Sequence, residues 1–245
     1  MEYNFFEEKW NSFVHTKYDF DWYNNAYFGP EGVKYNPIEK CVELGIVNSP
    51  RYFEKGIIYD NNEQKGVIKE WCCGELIGEG KSYGTYTWKI SLPKGGGLWP
   101  ALWLSGKYSW PPEIDLIEGY SNKKGRYIKN WFFTKIESNF HFRKNLQEGT
   151  HIALGTKAIP TIVYCVLHKD IDEYKVIWTK KYVKLYFNGY CFRTMKNPLM
   201  LADMNDRALM CPRMNIMVTN EFKYNEKEKN KYSLKIYDFE YKSMK

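Results

Sequence analysis

No stretch of this chain approaches the ~18 consecutive apolar residues expected of a membrane-crossing helix, so no membrane span is expected and the protein reads as soluble. Nor does any arginine-rich stripe occur. The net charge of +7, from 36 basic and 29 acidic residues, is dispersed, and its densest patch, residues 225–231, alternates in sign through Glu226, Lys227, Glu228 and Lys229. Such a patch reads as a solvated loop rather than a nucleic-acid surface. Residues 1–10 lack the basic segment followed by an apolar one that marks a secretory signal. A protein acting outside the cell would then leave by another route or have lost a leader, and a phage origin stays open. The six cysteines, Cys41, Cys72, Cys73, Cys165, Cys191 and Cys211, have no framework spacing, and Cys72-Cys73 is no zinc knuckle. Free thiols are expected. Helical periodicity is scarce, and neither an internal repeat nor a linker interrupts the chain. Residues 1–245 are therefore expected to form one domain, and a monomer.

What the chain does have is aromatic residues, 18% of the total, within a hydrophobic fraction of 44%. That fraction can supply a core and argues against disorder. The rings suit either a β core or the stacking of flat ligands. Residues 86–92 (Tyr-Thr-Trp-Lys-Ile-Ser-Leu) alternate large apolar and polar side chains, the two-residue period of a half-buried strand. Pro93-Lys94-Gly95-Gly96-Gly97 breaks it, and residues 98–104 are apolar throughout, as in a strand covered on both faces. Residues 183–187 and 190–193 flank Asn188-Gly189, a strong hairpin signal because both turn positions need positive φ. Further strands are expected over 213–219 and 233–241. Residues 1–60 are turn-rich, with 3–10 readable as a short helix or an edge strand. The pattern as a whole points to an all-β sandwich or barrel.

The segment that carries chemistry is Pro112-Glu113-Ile114-Asp115-Leu116-Ile117-Glu118. Carboxylates on a shared face raise one another's pKa. Glu113 and Asp115 are two apart and share a face of a strand. Glu118 is five residues from Glu113, so a regular strand would send it to the other face. One extra residue, a β-bulge near Leu116-Ile117, would bring all three acids together. Two Glu flanking an Asp are glycosidase equipment. One attacks the anomeric carbon, the other protonates the leaving oxygen, and retention needs the two carboxyls ~5–5.5 Å apart. The Asp can hydrogen-bond the nucleophile, and the titrations then belong to the group. On its own the pattern also fits an acidic edge strand that blocks aggregation, or a cation site.

With its neighbours the segment resembles glycoside hydrolase family 16, the laminarinase, agarase, carrageenase and lichenase group. The resemblance rests on Tyr83-Gly84, on Leu92-Pro93-Lys94-Gly95, on Leu98-Trp99-Pro100-Ala101-Leu102-Trp103-Leu104 and on the acidic motif, in that order. Ser138-Asn139-Phe140-His141-Phe142, residues 172–178 with Tyr186-Phe187-Asn188-Gly189, and Tyr237-Asp238-Phe239-Glu240-Tyr241 extend it over residues 65–245. It implies a concanavalin-like jelly roll, a β-sandwich of two antiparallel sheets with an open cleft. It assigns Glu113 as nucleophile, Glu118 as general acid/base and Asp115 as assisting carboxylate, in the bulged branch of the family. His141 resembles the histidine that contacts the assisting Asp or the sugar, and Trp110 the indole that stacks under a sugar in the minus subsites. Trp99 and Trp103, four apart on one strand, are substrate candidates that also fit a core role; Asn220, at a cleft rim, and Trp131 are weaker ones. Two departures bear on the minus subsites: the short Trp110-Pro111-Pro112 turn, and Thr87 and Lys89 where the family often has Glu and Arg.

The reading is a retaining endo-β-glycanase that needs no cofactor and no catalytic metal. Asp238 resembles a position that in some members helps hold a structural calcium. A β-1,3-glucan of laminarin type is the first substrate expected, and an agar- or carrageenan-type galactan the second, with the positive charge suiting a sulfated polymer. The rival reading is a non-catalytic carbohydrate-binding or virion adsorption protein using the same cleft.

Overall fold

The computed structural model describes residues 1–14, 25–60, 63–119, 121, 133–145, 150–153, 157–162, 171–207, 209–219 and 221–244, with backbone alone at 54–60, 63–65, 133–136, 144–145, 150–153, 157–162 and 206–207. Two large antiparallel sheets form the frame, one of nine strands and one of seven, with a three-stranded sheet beside them. The nine-stranded sheet runs, in spatial order, through Glu2–Phe5, Glu8–Asn11, Glu75–Gly78, Met210–Val218, Leu98–Gly106, Glu113–Glu118, Phe133–Asn145 and Thr150–Ala153, with Lys157–Ile162 also on the long Phe133–Asn145 strand. The seven-stranded sheet runs through Tyr190–Met195, Val183–Phe187, Asp172–Trp178, Gly84–Ser91, Leu234–Ser243, Cys41–Leu44 and Val33–Asn36.

Alternation decides which side chains meet between the sheets. Tyr86, Trp88 and Ile90 from one sheet, and Leu98, Leu102 and Leu104 from the other, are almost wholly removed from water and belong to one apolar cluster. Each such side chain gains roughly 1.5–3 kcal/mol by burial, which fixes both strands in register. The Asn188-Gly189 turn behaves as its chemistry requires. Both residues have positive φ (44° and 80°), and the Asn188 side chain bonds the neighbouring strand through Asp172 Oδ1 and the Glu173 amide.

The amino-terminal residues, hard to read as sequence, form a hairpin rather than a helix. Glu2–Phe5 pairs with Glu8–Asn11 across Phe6 and Glu7, both at positive φ, at the edge of the large sheet. The three-stranded sheet is a further departure from two plain layers. Ile46–Asp60 and Glu63–Cys73 form a long hairpin, and Ala26–Phe28 joins it in parallel. Among the described residues one α-helix, Pro198–Arg207, stands amid the strands, and Asn197-Pro198 announces it. Asn197 Oδ1 accepts from the amides of Leu199 and Met200, and proline occupies the first turn where no N–H is needed. The described cysteines, Cys41, Cys72, Cys73, Cys191 and Cys211, are free thiols, and Cys165 lies outside the described residues. Among the described residues no helix is long and apolar enough to cross a membrane.

Candidate active site

The Glu113–Glu118 strand lies inside the nine-stranded sheet, and its register explains the orientation of its acids. Glu113 stands opposite Ser105 and His141, Ile114 opposite Leu104 and Phe140, and Asp115 opposite Trp103 and Asn139. The ladder then slips. Ile117 meets Leu102, and Glu118 meets Ala101 and Glu137, so that Leu116 is an extra residue against one neighbour and Leu116-Ile117 together face Ser138 on the other. This is the bulge that the motif's parity demands. Its cause is the adjacent pair Leu116-Ile117: in a regular strand one of them would face outward. Here Ile114, Leu116 and Ile117 are all fully buried in the core, and two side chains of burial energy outweigh one irregular step in the ladder. The outward side receives Glu113, Asp115 and Glu118.

The three carboxyls sit in a poorly solvated patch. The side chains of Glu113 and Asp115 are 13% and 7% exposed. Burial pushes the Glu113 carboxyl well above the ordinary range, Asp115 and Glu118 push it the same way, and the His141 imidazole and a hydrogen bond from Trp110 oppose them. Burial, then Glu118, likewise pushes Asp115 up, against the pull of Arg193. Like charges gathered in such a patch oppose one another's ionisation, and their titrations belong to the group. Hydrogen bonding favours charge on Glu113. Trp110 Nε1 donates to its Oε2 at 3.1 Å, and His141 Nε2 lies 3.6 Å from its Oε1. The same Nε2 is 3.2 Å from Asp115 Oδ2, and one potential metal-ligand atom each from Glu113, Asp115 and His141 (two carboxylate oxygens and an imidazole nitrogen) lie within 4.8 Å of one another.

Trp110 is 54% exposed, on the turn entering the acidic strand, with its ring 5.9 Å from that of His141. Trp99 and Trp103 share the outward face of the Leu98–Gly106 strand, and both are half-buried. Trp103 is fixed on two sides: Nε1 donates to Asn215 Oδ1 at 2.7 Å, and the Arg213 guanidinium covers its ring at 4.6 Å. Arg213 in turn reaches Glu75, which is nearly inaccessible to water. Trp99 packs against the core cluster as well. Asn220 and Trp131 lie outside the described residues.

Thr87 and Lys89 need correcting. They lie on the outward side of Gly84–Ser91, in the sheet that does not carry the acids, so they do not shape the minus subsites. Lys89 Nζ donates to Asp238 Oδ2 at 2.8 Å. A lysine ammonium thus stands against Asp238 where calcium would need six to eight oxygens, and these residues do not fit a calcium site.

Arg213, Asn215, Glu75 and the pair Arg143–Asp203 escaped the reading of the sequence. Residues 211–217 did carry a signal, since Arg213 and Asn215 alternate with the buried Met214 and Ile216. Asp203 is fully buried in the helix, and it accepts from the Arg143 amide at 2.9 Å and Nε at 2.8 Å. It thereby anchors the helix to the strand that carries His141.

Known proteins share this fold and, over part of the chain, its sequence. The chain is 27% identical over 131 residues to the endo-1,3-1,4-beta-glycanase EglC of Rhizobium meliloti, a match covering 53% of this chain but only 24% of that longer relative. Its fold resembles the laminarinase catalytic domain of Thermotoga maritima, with TM-score 0.65, 18% identity and coverage of 96% and 92% of the two chains. LamAcat of Zobellia galactanivorans gives TM-score 0.66, 18% identity and 96% and 90% coverage. The model of glycosyl hydrolases family 16 matches residues 54–220, which take in the acidic strand, its bulge and His141, and the chain belongs to that family.

Proposed function

We propose that the chain is a retaining endo-β-glycanase. Glu113 attacks the anomeric carbon while Glu118 protonates the glycosidic oxygen; Glu118 then takes a proton from the water that releases the glycosyl-enzyme. Asp115, between them and beside His141, holds the nucleophile and shares the proton count of the group. Trp110 donates to Glu113 and offers an exposed indole to a sugar face. One observation supports this reading above the rest: the bulge at Leu116-Ile117, which leaves two glutamates and an aspartate outward and every intervening apolar side chain inward. An acidic edge strand built against aggregation is not what these residues make, since the strand has a neighbour on each side.

The first substrate proposed is a β-1,3-glucan of laminarin type, in keeping with the laminarinase among the similar folds and the 1,3-1,4-glycanase among the relatives. An agar- or carrageenan-type galactan is second. The test is incubation with a panel of β-glucans and galactans, reading new reducing ends and product size. Oligosaccharides from laminarin, with early loss of polymer length, are expected. Product from agar or carrageenan alone would move the substrate. Binding without product from any polymer would replace the enzyme with a glycan-adsorption role.

A further inference from the structure

We propose that Arg193 is a positioning residue for the acidic strand: it enters from the opposite sheet, fixes the backbone facing the bulge, and places a positive charge on the core side of the strands behind the carboxyls. The inference deepens the glycanase reading and rests on it.

Arg193 lies on Tyr190–Met195, the edge strand of the seven-stranded sheet. That strand is itself bulged. Leu185 meets Arg193 and Tyr186 meets Cys191, which leaves Phe192 as an extra residue. Arg193 therefore shares the side of the buried Leu185 and Met195, while Thr194 faces water. Without the extra residue it would point outward. Inside, its Nη1 donates to the carbonyl of Ser138 and to Ser138 Oγ at 2.9 Å, and the guanidinium lies over the Phe140 ring at 4.4 Å.

Ser138 is the residue that faces Leu116-Ile117 across the ladder, and it is wholly buried. The cation thus grips the partner of the catalytic bulge from the core side, while the acids occupy the outer side. The charged and titratable groups around Asp115 are Glu113 and Glu118 on its own strand, His141 on the next, with Glu137 there opposite Glu118, Arg193 behind the sheet, and, beyond Trp103, Arg213 held by Glu75. Arg213 is already neutralised by Glu75. Arg193 is the cation that draws Asp115 down against burial and Glu118, and burial in turn disfavours its own charge. A half-buried guanidinium loses part of its hydration, and its position behind three crowded carboxylates gives the charge something to offset. The reaction needs Glu113 ionised while Glu118 keeps a proton. A fixed positive charge behind the group lowers the pH at which the first ionisation occurs.

The test uses the full chain with Arg193→Gln, which keeps a hydrogen-bonding head and loses the charge, and Arg193→Lys, which keeps the charge. In Arg193→Gln the acid limb of the kcat/KM profile should move up by about one pH unit, a tenfold loss on that limb that recovers at higher pH, with KM changed less than about twofold. Arg193→Lys should restore the wild-type limb. Carbon-13 NMR titration of the Asp115 carboxyl should show the same upward shift without any substrate. A folded Arg193→Gln with unmoved limb and unmoved Asp115 titration overturns the proposal. So does failure of both Arg193→Gln and Arg193→Met to fold, which would make the role structural. Absence of turnover in the wild type would instead remove the glycanase reading, and the NMR titration would still decide the role of Arg193.

Discussion

The two outer faces of the sandwich use the same strand alternation and the same side-chain types to opposite ends. On the seven-stranded sheet the acids stand beside cations in water: Lys89 with Asp238 and Lys175 with Glu173, each at 2.8 Å. Glu39, next to Lys235 and Tyr237, is pulled below the usual carboxylate range by those hydrogen bonds. On the nine-stranded sheet Glu113 is pushed above that range by burial and by Asp115, and Asp115 by burial and by Glu118. The difference is one of company and solvent, not of residue type. One face pairs its charges in water; the other gathers like charges where water is scarce, the setting in which catalytic groups are commonly found.

The largest effect expected from breaking this contrast is on turnover. Glu113→Gln and Glu118→Gln should each lower kcat by about 10²–10⁴-fold or more, while Asp238→Asn on the far face leaves it within twofold. Near-normal turnover in either glutamate variant would remove the assigned roles. Next is the anchor behind the His141 strand. Asp203→Ala strips a largely buried arginine of its fully buried partner and should cost about 3–5 kcal/mol of stability in a denaturant titration. A loss under 1 kcal/mol would mean that the helix is held by its apolar contacts alone.

A smaller effect has the opposite sign. The folded-state pKa values of Glu113 and Asp115 are raised, so these two groups bind more protons in the native chain than in the unfolded one. Their contribution to stability should therefore fall as pH rises from the ordinary carboxylate range, near 4, through the raised values. Glu113→Gln should raise stability at pH 7 by about 0.5–2 kcal/mol, and the gain should vanish below about pH 4. Thermal melts of the wild type and the variant across that range read it directly, and a variant destabilised at pH 7 would contradict the strained patch. Smallest is Lys89→Ala, expected to change stability by less than about 1 kcal/mol because the pair is half exposed; a larger loss would make the far face more than a solvated one.

How much of this was legible in the sequence differs between the faces. The bulge followed from parity alone, since Glu118 is an odd number of residues from Glu113 and the adjacent Leu116-Ile117 both need burial. The Asn188-Gly189 hairpin followed from turn chemistry. Arg193 did not, because its inward direction depends on a second bulge, and Tyr190-Cys191-Phe192-Arg193 carries no parity clue to it. The Arg143–Asp203 pair joins residues 60 apart in sequence, a distance no local pattern bridges. Thr87 and Lys89 were misplaced for another reason: alternation says which residues share a face, but not which of the two outer faces it is. The helix at Pro198–Arg207 was announced by Asn197-Pro198 and overlooked amid strand patterns.

The measurement that tests the central claim most directly uses Glu113→Gly with sodium azide and an activated aryl β-glycoside of whichever sugar the polymer panel identifies. If Glu113 is the nucleophile, azide enters the vacated face and the product is the α-glycosyl azide. A β-glycosyl azide from this variant, or α-azide from Glu118→Gly instead, would contradict the account.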